Sequence, residues 1–106
     1  MNKKIRQSVV DRAKGRCEAC GVSLGPDSER GHFDHYLGRR VEESVETGWL
    51  LCVSCDHERT TNQPSSRHWA EKFIVHCALQ ALPILGSPAA RPYFEAMDAA
   101  MRRVVV

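Results

Sequence analysis

The sequence predicts a small α+β fold stapled by zinc. Two C-x-x-C pairs, Cys17/Cys20 and Cys52/Cys55, offer four thiolates at metal-ligand spacing. Apolar residues recur at helical period before the first pair and again after residue 66, whereas the short apolar runs between and beside the pairs are strand-like. A chain of 106 residues has room for one domain with a modest core, the size at which a metal commonly supplements packing.

Each element follows from local pattern. Ile5, Val9, Val10 and Ala13 predict an amphipathic helix from Lys3 to Lys14, ending at Gly15. Residues 1–16 carry six basic side chains against Asp11 alone, a basic arm suited to a polyanion. Cys17-Glu18-Ala19-Cys20-Gly21 reads as a knuckle presenting two thiolates, and Gly21 to Gly31 as loop. A short strand is expected over His32-Phe33-Asp34-His35-Tyr36-Leu37, and a second at Trp49-Leu50-Leu51, joined by a charged connection from Gly38 to Gly48. Asp56 to Thr60 is expected to be helical, with metal-facing groups in its first turn. Pro64-Ser65-Ser66 should break that helix, with Ser65 or Ser66 capping the next over about 67–82.

That third helix puts Trp69, Phe73, Ile74, Cys77 and Leu82 largely along one side. A last one over about 89–103 carries Tyr93, Phe94, Met97 and Met101 at core spacing, or at a dimer face. Cys77 reads as a small buried hydrophobe, with His76 facing solvent or a polar neighbour. The organisation expected is a single domain over 1–106: a basic helix at 1–16, a core at 17–62 and a helical extension at 66–104.

No apolar run reaches the length of a membrane span, and none follows the basic start as in a secretory signal, so a cytoplasmic location is expected. In that setting cysteines stay reduced, which favours a metal over disulfides. Thirty-one residues separate Cys20 from Cys52, against about 15–20 in a bare zinc ribbon. The excess holds His32-Phe33-Asp34-His35, and Asp56-His57 follows the second pair directly.

This order resembles the HNH nuclease superfamily: Cys17 and Cys20, then Asp34-His35, then Leu50-Leu51-Cys52 and Cys55, then Arg59-Thr60. The resemblance covers residues 12–61 and leaves the segment after residue 62 without a counterpart. It implies a ββα-metal, treble-clef-like core braced by structural zinc, cleaving DNA with a catalytic divalent cation. His35 would be the general base, since imidazole titrates near neutrality, and Asp34 a metal ligand. Asp56 stands where the family has a second ligand, His or Asn; simple helix capping is its other reading.

Two carboxylates suit Mg²⁺ or Mn²⁺. His57, the competing ligand, would suit Zn²⁺ or Ni²⁺. Thr47 stands where a family Asn orients the base, Arg59 where a phosphate could be clamped, and Gly38 with Arg39 and Arg40 where a Gly-Gly is usual. Arg39 and Arg40 are either backbone contacts or a solvated loop, and His32 is left outside the site. The partner implied is DNA, with a homodimer or a phage- or restriction-associated protein compatible. The competing reading is a decayed scaffold that binds nucleic acid or a protein partner without cleaving.

Overall fold

A computed structural model describes residues 2–38, 41–61 and 67–104. Arg39, Arg40 and the expected caps Ser65 and Ser66 lie outside the described residues. The order is α1 (Lys3–Ala13), β1 (His32–Asp34), β2 (Trp49–Leu51), α2 (Val53–Thr61), α3 (Arg67–Ala81) and α4 (Arg91–Val104), with single 3₁₀ turns between some of them. Among the described residues this is an α+β fold of four α-helices and one two-stranded antiparallel sheet. No helix among them is long and apolar enough to cross a membrane.

Asn2 starts α1 by accepting the Lys4 N–H at 2.7 Å. Lys14 ends it in the left-handed region, at φ 54°, and Gly15 continues there at 78°. The reversal feeds the chain into the first knuckle. Cys17 N–H bonds Val22 O at 2.9 Å, and Glu18 N–H bonds Leu50 O at 2.8 Å, so the knuckle lies against β2.

In the sheet, His32 pairs with Leu51, Phe33 with Leu50 and Asp34 with Trp49. The first strand is shorter than expected. Tyr36 N–H turns back to Asp34 O and Gly38 N–H to His35 O, so pairing stops at Asp34. Gly48 enters β2 where a Cβ would overlap the Asp34 carbonyl and sit 2.8 Å from the Phe33 ring. Only glycine fits there.

All three β2 residues are buried because both faces of the strand are covered. Trp49 meets Trp69 and Phe73 edge-on, at ring separations of 6.1 and 5.2 Å, and Tyr36 stacks on Phe73 at 4.3 Å. Each such pair adds about 0.5–1.5 kcal/mol beyond area burial. The helix α2 begins at Val53, three residues ahead of the expected start, and packs against both strands.

The C-terminal helices pack on one another, with Trp69, Phe73, Cys77 and Tyr93 buried as expected and part of the expected α4 face turned outward. Phe94, Met101 and Leu82 are exposed, while Tyr93, Ala96 and Ala100 are buried. Alanine every fourth residue lets α4 approach α3 closely, and that contact outweighs the larger residues' pull toward the interior. The Arg103 guanidinium then donates to the carbonyls of Tyr36 and Leu37, tying the end of α4 to the loop after β1.

Candidate functional site

The four sulfurs come together. Every pair lies within 4.8 Å, and Cys20 Sγ stands 3.9 Å from Cys52 Sγ. Tetrahedral bonds of about 2.3 Å require sulfurs about 3.8 Å apart, so the cluster can hold a metal ion such as zinc. Two knuckle N–H groups point inward, from Cys20 to Cys17 Sγ at 3.5 Å and from Cys55 to Cys52 Sγ at 3.4 Å. Burial raises the Cys20 and Cys55 thiols. It acts the same way on Cys17, but the backbone N–H groups of Cys20, Cys52 and Ala19 outweigh it and bring that thiol down. Among the described residues, this is the one group of three or more His, Cys, Asp or Glu gathered closely enough for one ion.

The second pair of cysteines opens α2, so an ion there would fix where that helix begins. Cys55 and Arg59, four residues apart, share its buried face. Arg59 reaches across to the end of β1, where its Nε donates to Asp34 Oδ2 at 2.9 Å and its Nη2 to Oδ1. Trp49, the cross-strand neighbour of Asp34, adds its indole N–H to Oδ2 at 2.9 Å. Both groups are nearly sealed, Asp34 at 5% exposure and Arg59 at 8%.

This arrangement departs from the expectation for both residues. Asp34 is turned inward and paired rather than offered to a cation, and Arg59 clamps that carboxylate rather than a phosphate. The reason is electrostatic: a guanidinium carried inward on the sheet-facing side of α2 needs a buried anion, and Asp34 is the one beside it. No family model, curated protein or solved structure matches the chain.

The other expected site residues divide. Asp56 is half-buried one turn before Arg59 on the same side of α2, and makes no ion pair among the described residues. His57 is exposed, roughly 200° around the helix from Arg59. His32 is exposed as well.

His35 is half-buried just past the strand. Its ring meets Phe33 edge-on at 4.9 Å, and its Nε2 lies 3.5 Å from Glu43 Oε2. The Thr47 hydroxyl is engaged elsewhere. It accepts from Ser44 N–H and donates to Ser44 O, each at 3.0 Å, closing a turn rather than reaching the imidazole.

Three residues escaped sequence reasoning. Glu18, inside the first knuckle, is a buried acceptor for Arg12 at two points, each 2.7 Å, and for Leu50 N–H at 2.9 Å. Arg12, counted with the basic arm, is buried instead. It also bonds the carbonyls of Val45 and Gly48 and the Tyr93 hydroxyl. Burial opposes its charge, and Glu18 more than compensates. The third is Glu43. A lone acid in a polar stretch gives no local signal, because its role depends on a partner distant in sequence. His76, by contrast, has the polar neighbour expected of it: Nδ1 lies 3.8 Å from Glu18. Burial drops its pKa to about 4, and Nε2 has no hydrogen-bond partner among the described residues.

Proposed function

We propose that the protein is a zinc-braced endonuclease of the HNH type, hydrolysing DNA phosphodiester bonds with His35 as general base. The observation that carries this reading is the four-sulfur cluster at the start of α2, a helix packed on both strands of the sheet whose first strand ends just before His35. Two strands, a helix packed on them and four sulfurs at the helix start are the ingredients of a treble-clef-like ββα-metal core. The exposed Lys3, Lys4, Arg6, Lys14 and Arg16 supply cations for a DNA backbone, and Arg12 does not, being spent inside.

In this reading His35 withdraws a proton from the attacking water, whose oxygen bonds to phosphorus as the bond from phosphorus to the leaving sugar oxygen breaks and that oxygen takes a proton from solvent. A divalent cation such as Mg²⁺ or Mn²⁺, when bound, supplies charge neutralisation at the phosphate. Asp56 fits it as a donor, because Mg²⁺ is commonly held by one or two carboxylates plus waters and phosphate. Asp34 does not fit, since both its oxygens already accept bonds in a sealed site. Its task is to anchor Arg59 and so fix the backbone that carries His35.

The test is nicking of supercoiled plasmid with Mg²⁺, Mn²⁺ or Ni²⁺. The parent should nick, and His35→Ala should lose at least about 100-fold in rate while retaining zinc. Cleavage unchanged in His35→Ala removes the histidine from its role. A second reading, DNA binding without cleavage, is favoured by the engagement of Asp34 and Arg59 with each other. Its mark is a retarded DNA band with no nicking in any of the three cations.

A further inference from the structure

We infer that Glu43 is the positioning residue for His35, holding the imidazole by Nε2–H so that Nδ1 faces the attacking water. The catalytic part rests on the nuclease reading; the pairing of the two side chains does not. His35 Nε2 is 3.5 Å from Glu43 Oε2, within ion-pair reach and longer than a closed hydrogen bond, with 23% and 29% of the two side chains exposed. The other oxygen, Glu43 Oε1, is buried and accepts no hydrogen bond among the described residues. No competing donor among them draws the carboxylate away from the imidazole.

The segment carrying Glu43 is held firmly. The next residue, Ser44, is locked to Thr47 by both side-chain bonds of the turn. Val45 O and Gly48 O are gripped by the buried Arg12 guanidinium at 2.6 and 3.2 Å. Leu37 N–H bonds Thr47 O at 3.2 Å, fastening the same turn to the chain just beyond His35. Thr47 therefore acts one step removed, by building the turn that delivers Glu43. The Phe33 ring, nearly perpendicular to the imidazole and 4.9 Å from it, restricts its rotation.

Neutral imidazole places its proton on the nitrogen that faces a carboxylate, which leaves the other nitrogen as the acceptor. A proton drawn to Nε2 by the Glu43 carboxylate leaves the lone pair of Nδ1 for water.

Two measurements on the zinc-loaded full chain test this: long-range ¹H–¹⁵N NMR of the His35 ring, and plasmid nicking kinetics. The parent should show one tautomer, protonated at Nε2. Glu43→Ala should show a mixture and lose about 10–100-fold in kcat with KM for DNA within about twofold. Glu43→Gln keeps an acceptor oxygen, so it should restore the single tautomer and most of kcat. An unchanged tautomer in Glu43→Ala overturns the inference, as does a raised KM at constant kcat. If the parent cleaves nothing in any cation, the catalytic half falls with the nuclease reading, and the NMR spectra alone then uphold or overturn the pair.

Discussion

Arg59→Met is the most informative single change outside the imidazole. It leaves the Asp34 carboxylate, 5% exposed, with only the Trp49 indole as a donor. Removing one partner of a buried pair costs roughly 3–5 kcal/mol, because the survivor is stranded in low dielectric. Asp34→Asn should cost less, about 2–3 kcal/mol, since the amide oxygen still accepts from Trp49 and Arg59. In Asp34→Asn/Arg59→Met neither charge remains, so the double variant should be no worse than the poorer single one. The coupling between the two positions is then about 2 kcal/mol. For a domain of this size each kcal/mol moves Tm by about 4–8 °C, so Arg59→Met should melt at least about 12 °C below the parent. Urea unfolding followed by tryptophan fluorescence, with zinc saturating, measures all four forms. Single variants that each cost under 1 kcal/mol, or that add without coupling, would refute the claim that this pair holds α2 to the sheet.

Zinc removal should unfold the chain, because a structural site contributes about 10–16 kcal/mol, comparable with the whole stability of a small domain. Chelation or Cys17→Ser should abolish the far-ultraviolet helical signal, and metal analysis of the parent should find about one zinc per chain. His76 is buried neutral with its pKa at about 4, against about 6.5 when unfolded. The unfolded state therefore binds the extra proton first, and stability should fall by up to about 3 kcal/mol as pH drops from 6.5 to 4. His76→Leu should flatten that part of the profile relative to the parent, measured by denaturant midpoints at each pH. Phe94→Ser should change stability by less than about 1 kcal/mol, where a core phenylalanine would cost several, since the ring lies 46% exposed on the outer side of α4.

What the sequence revealed was what local periodicity encodes. The cysteine pairs, β2 and the helices α1, α3 and α4 follow from spacing and apolar pattern, and α3 and α4 fall within about two residues of their expected limits. Where size and spacing conflicted, spacing alone misled. Phe94 and Met101 looked like core until Ala96 and Ala100 took the contact with α3.

The electrostatics were less legible. Arg12 read as part of a basic arm and Arg59 as a phosphate clamp because nothing nearby in sequence reveals a buried carboxylate; each partner depends on tertiary packing. Arg12 meets Glu18 across the first knuckle, and Arg59 meets Asp34 from 25 positions away. Thr47, singled out as the residue to orient His35, is bonded to Ser44 instead, and the side chain that lies beside the imidazole is Glu43.

Gly48 has a wider consequence than the tightness of one bend. Its missing methyl sets the gap between the strands immediately before the Asp-His step. A larger residue there would act as a wedge, prying Asp34 and its successor away from the start of the second strand while leaving their side chains chemically intact. The spacing that seats the Asp34–Arg59 bond is thus fixed in part by a vacancy.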